Sequence, residues 1–204
     1  MENLSAENSL RIITETLERS RNAIAKNTGK PLILWGALVT LTSVVIWALW
    51  AKTGSPMWNM LWFAMTIIGA IGTYFMTRNQ EKVPESEPKR ILGCVWKWFG
   101  FFAIGLYVLL WVAALILYAQ GNESVVTINL SLILSLMMGL CGAISGAVMK
   151  MKSVTAAAVV ATILAVLLVL LVPNGSPLQI LSFAILGVVA LIVPGVIFQK
   201  KTAK

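Results

Sequence analysis

The chain has 204 residues, of which 58% are hydrophobic and only 12% charged, about half the charged share of soluble globular domains. That balance excludes a soluble enzyme or receptor domain and points to an all-α polytopic membrane protein. The net charge of +8 would suit a nucleic-acid binder only if the basic residues shared one soluble face, and here they are scattered among short loops, so no nucleic-acid partner is expected.

Residues 1–30 form a polar leader and 31–204 the membrane domain. The leader is too long and too polar for a secretory signal, and Glu2 does not fit a myristoylation start, so the first apolar segment reads as a retained span. Within it Leu10, Ile13, Leu17 and Ile24 fall on one helical face, while Arg11, Glu15 and Arg19 follow at four-residue spacing on the polar side. The spacing predicts an amphipathic helix that stops at Asn27, Thr28 and Gly29, with Pro31 opening the first span. Three fates fit its narrow stripe: lying on headgroups, packing under the bundle, or pairing with a partner helix in a cytoplasmic protein or a second copy.

Between Pro31 and Ala51 no side chain is charged, and those 21 residues, at about 1.5 Å each, match a hydrocarbon core roughly 30 Å thick. Further spans follow over 58–77, 95–119, 126–149, 154–172 and 178–198, giving six. Gly54 and Pro56 mark the first turn, and the 78–94 loop, rich in proline and charge, is the only sizeable polar connection. Asn122-Glu123-Ser124 and Asn174-Gly175-Ser176 match the N-glycosylation pattern but sit in loops so short that they read as turns.

Lys and Arg side chains set the orientation. Fifteen of sixteen fall on the side of the leader, the 78–97 segment, Lys150, Lys152 and the C-terminus, against Lys52 alone on the other. The expectation is a bacterial inner-membrane protein with both termini cytoplasmic. Trp35, Trp96 and Trp98 lie near the cytoplasmic boundary and Trp47, Trp50, Trp58 and Trp62 near the outer one, as an aromatic belt would place them; an outer cage for a quaternary ammonium is the sharper alternative.

Histidine is absent, which removes the commonest metal ligand and general base. Cys94 and Cys141 lack a CxxC spacing and a nearby second ligand, and read as free thiols. The P-loop, GxSxG, HExxH and Rossmann patterns are also missing, so no catalytic residue, cofactor or metal site is expected. No span has a charge at its centre, which argues against a proton-coupled pump. A pore or carrier lined by hydroxyls and amides stays open, with Thr42, Thr66 and Asn129 as candidate polar lining.

Gly142 and Gly146 form a GxxxG pair with Gly139 and Ser145 nearby, and Ala157 and Ala161 belong to a four-residue repeat of small residues in the next span. Small surfaces let helices approach closely, either within one chain or across a homodimer seam. Pro194-Gly195 is expected to loosen or end the last helix.

Asn27, Gly29, Pro31, Trp35 and Gly36 at one end, with Pro194, Gly195 and Lys200 at the other, resemble an uncharacterised group of six-span bacterial inner-membrane proteins. The resemblance implies the fold and carries no activity. The residues alone point to a non-enzymatic interaction or sensory component whose leader and polar loop meet a cytoplasmic partner; the competing class is a carrier or channel for an uncharged or apolar solute.

Overall fold

The computed structural model describes residues 2–78, 87–120 and 129–202, and the side chains of most of these. Every regular element among them is helical. The elements are α1 (Glu2–Thr53), a 3-10 turn (Pro56–Met60), α2 (Leu61–Arg78), α3 (Glu87–Ala119), α4 (Leu130–Val148) and α5 (Lys152–Leu171). A last rod follows as a 3-10 turn (Pro177–Ile180), α6 (Leu181–Leu186), a π segment (Gly187–Ile192) and α7 (Val193–Thr202). Among the described residues six helices are long and apolar enough to cross a bilayer, the composition of a multi-pass, all-α membrane protein. Of the expected 78–94 loop, residues 79–86 lie outside the described residues, whereas 87–94 are helical and open α3, so the third crossing helix begins before the apolar run does. The Asn122 triplet and the side chains of Leu17, Arg19 and Ile24 also lie outside the described residues.

The expected stop at Asn27–Gly29 is absent. Leader and first span are one helix of 52 residues with Pro31 inside it. A glycine stops a helix by turning left-handed, but here Gly29 is buried against the last rod, where an added Cβ would lie 2.9 Å from the Gly195 carbonyl oxygen. Tertiary contact therefore holds it helical. Of the leader pairs, Arg11 and Glu15 meet at 4.0 Å across exposed surface, a geometry that adds little stability.

In lipid, helix association rests on close packing and hydrogen bonds, because apolar burial distinguishes little between lipid and protein. Three contacts supply it. α1 runs antiparallel to the last rod through Gly29 against Gly195 and Gly36 against Gly187, each glycine meeting its partner's carbonyl. α4 lies on α5 with Gly139 against Thr162, Gly142 against Ala158 and Gly146 against Thr155. α5 thus meets the α4 glycines through Thr155, Ala158 and Thr162; its buried face is Val154, Ala158, Ala161 and Ala165, whereas Ala157 is only half-buried. α2 leans on α1, with Gly69 and Gly72 leaving room for Trp35 and Leu34.

Pro194 does not end the last helix, which continues to Thr202. The loosening lies upstream, where the Val193 N–H bonds the Val188 carbonyl, five residues back. Such a widened turn accommodates a proline that has no N–H to give the residue four before it. At the other end of the bundle, Gly175 (φ 78°) forms the turn that the Asn174 triplet predicts. Between α4 and α5, Lys150 takes the left-handed conformation (φ 52°), and the Met151 N–H reaches the Gly146 carbonyl at 2.8 Å, a helix-ending geometry usually given to glycine.

Candidate functional site

α3 stands apart from this core. It packs chiefly on α4, and no residue of its most apolar stretch is buried. Added Cβ atoms at Gly93, Gly100 and Gly105 would meet nothing within 4 Å. The result is a groove of about 1130 Å³ between α3 and the rest of the bundle, larger than the roughly 300–1,000 Å³ typical of small-molecule clefts.

Its floor is Trp35 and Val39 of α1, Leu134 and Met138 of α4, and Phe183 and Leu191 of the last rod. Its walls are Trp62, Met65 and Thr66 of α2 and a long face of α3 that includes Phe99, Ala103, Tyr107, Trp111 and Ala114. On α1 the lining runs from Pro31 to Trp50, about 29 Å at 1.5 Å per residue, which is the depth of a hydrocarbon core. Among the described residues Lys97 is the one charged lining residue and sits at the end that holds the chain termini; Asn59 and Ser131 are neutral and lie toward the other end.

The aromatic lining is locked by edge contacts. Trp62 meets Phe183 at a centroid distance of 5.3 Å, Trp96 meets Phe99 at 5.8 Å, and Phe63 of α2 meets Tyr107 of α3 at 5.0 Å. Two of the tryptophans also bond across helices. Trp35 Nε1 donates to Thr73 Oγ1 at 2.9 Å, and Trp96 Nε1 donates to Ser145 Oγ at 3.1 Å. With their polar edges engaged, the rings offer hydrocarbon-like faces to the groove. The Tyr107 hydroxyl is buried beside Trp111 without a hydrogen bond of good geometry.

The candidate polar lining does not come together. Thr66 borders the groove and its hydroxyl donates to the Trp62 carbonyl at 2.9 Å. Thr42 is half-buried and not part of the lining. Asn129 lies outside any span: it caps α4, accepting from the Leu132 N–H at 3.1 Å and donating to Asn174 Oδ1 at 2.8 Å. The reason is that Asn is a strong N-cap residue, and α4 begins four residues later than its apolar run. Other hydroxyls are satisfied internally, Ser43 by the Val39 carbonyl and Ser135 by Ser182, which in turn donates to the Gln179 carbonyl. No continuous polar path follows from these residues.

Of the candidate partner face, Leu10 and Ile13 are exposed, as is Ile12, and every residue from 7 to 16 faces away from the protein. Cys94 is exposed and Cys141 half-buried, both as free thiols. Among the described residues no group of His, Cys, Asp and Glu is placed to hold a metal ion.

The groove escaped sequence reading because its tryptophans occupy the positions of an interfacial belt, and because the standing-off of α3 has no periodic signature. The glycines at 93, 100 and 105 were the available signal. No family model, curated protein or solved structure matches the chain.

Proposed function

We propose that this protein binds an apolar, lipid-like molecule in the groove beside α3, as a carrier or ligand-sensing component of a bacterial cytoplasmic membrane, and that it is not an enzyme. The observation that carries the reading is the groove itself: about 1130 Å³ of aromatic- and aliphatic-lined space running the depth of a hydrocarbon core. The excess of Lys and Arg on the terminal side supports cytoplasmic termini. The test is quenching of intrinsic tryptophan fluorescence by a brominated alkane, since Trp35, Trp50, Trp62, Trp96 and Trp111 all line the space. Saturable quenching, weakened in an Ala103→Leu/Ala114→Leu double variant, supports it. Quenching that rises linearly with dose and is indifferent to the variant contradicts it.

A second reading is favoured by the exposed leader. An isolated helix with no packed face is marginal in water, so a segment whose residues 7–16 all face outward is suited to a cytoplasmic protein partner or a second copy, and the protein then acts as an interaction component. Partner recovery with the full chain and with a variant lacking residues 1–26 distinguishes the two. Identical recovered sets remove the leader from the account.

A further inference from the structure

We infer that the occupant of the groove is a single anionic membrane lipid from the leaflet on the side of the termini, its headgroup against Lys97 and its chains along the aromatic lining; this rests on the groove being a site for an apolar molecule. The argument is one of charge and depth. A single lipid from one leaflet covers about half of a roughly 30 Å core with its chains, so its headgroup has to sit at one end of the lining, and among the described lining residues a charge stands at the terminal end alone. Lys97 is that charge, and among the described residues no carboxylate lies within salt-bridge distance of it.

Its ammonium is held 6.0 Å from the centroid of the Phe101 ring, another lining residue. That places the cation at the rim and not within the apolar space, where a long stem keeps it at headgroup level. One residue earlier, Trp96 is fixed to Ser145 by its indole N–H, so the backbone that presents Lys97 is braced against α4. At the opposite end the described lining offers Asn59 and Ser131, and Lys52, the cation on that side, is exposed and does not border the groove. A zwitterionic lipid would bring a second cation to Lys97; an anionic one would not. The recognised chemistry is therefore a diacyl lipid with net negative headgroup.

The test uses the full-length protein reconstituted in vesicles of equal phosphatidylglycerol and phosphatidylcholine, extracted in mild detergent, with retained lipid counted by native mass spectrometry. The wild-type protein should retain lipid enriched about fivefold in phosphatidylglycerol, the discrimination that one lysine near a membrane surface gives. Lys97→Gln should retain as much lipid without the enrichment, and Lys97→Arg should restore it. Lys152→Gln, an exposed cation on the α5 side, should leave the enrichment intact. Enrichment that survives Lys97→Gln, or that Lys152→Gln removes equally, overturns the assignment of the headgroup while leaving the groove reading in place. No retained lipid in any variant overturns both.

Discussion

A Cβ added to Gly36 would lie 2.7 Å from the carbonyl oxygen of Gly187, and one added to Gly187 would lie 2.9 Å from the carbonyl oxygen of Gly36. The two helices touch backbone to backbone at this level, and neither side tolerates a methyl group without moving the other. Gly36→Ala and Gly187→Ala should each destabilise the folded protein by about 1–3 kcal/mol, the usual cost of overpacking. Gly100→Ala, in a helix where added atoms meet nothing, should be neutral or stabilising by up to about 1 kcal/mol. Reversible unfolding in mixed detergent micelles measures all three.

The same contact gives the π segment a role. Gly29 and Gly36 are seven residues apart on α1, whereas their partners Gly195 and Gly187 are eight apart on the last rod. Seven residues nearly complete two α-helical turns, but eight overshoot them by about 80° and would carry one glycine off the contact face. The extra residue absorbed at Gly187–Ile192 restores the register. Deleting Val189 brings the two glycines of the last rod to seven residues apart, so a regular helix keeps both pairs on the contact face and unfolding should be nearly unchanged. A marked loss of stability on deletion would show that the π segment serves Pro194, whose ring and missing N–H need the widened turn.

Tyr107→Phe removes a buried hydroxyl that lacks a hydrogen bond of good geometry. The variant should be as stable as the wild type or more stable by up to about 1 kcal/mol, since an unsatisfied buried polar group costs roughly that much. The ring contact with Phe63 is retained. A marked loss of stability in the same unfolding measurement would reveal a partner for the hydroxyl in the bilayer.

The indole of Trp35 and the hydroxyl of Thr73 join α1 to α2. A double-mutant cycle of Trp35→Phe and Thr73→Val should return a coupling near 0.6 kcal/mol, the average for hydrogen bonds between membrane helices. Zero coupling would reduce Trp35 to an interfacial anchor.

The spans were legible because each is an uninterrupted apolar run bounded by glycine, proline or charge, and the charge-free stretch after Pro31 falls within a crossing helix. The details that depend on neighbours were not. Gly29 looks like a stop until Gly195 is set beside it, and Pro194 looks like an end until the widened turn before it is seen. Asn129 has the same side chain whether it lines a pore or caps a helix; only the start of α4 at Leu130 decides. On α5 small residues occupy two sides of the helix, and only the packed structure shows that Thr155, Ala158 and Thr162 meet the α4 glycines while Ala157 stays half-buried. The groove is a property of where α3 does not pack, which a pattern of apolar residues on every side of that helix leaves undetermined.

The most direct test of the lipid-binding groove is a structure determined in a nanodisc built from lipids brominated along their acyl chains. The account predicts elongated density between α3 and the floor formed by Val39, Met138 and Phe183, with bromine peaks inside it. A structure in which α3 has closed onto α1, α2 and the last rod, leaving brominated chains only around the outer perimeter, would contradict it.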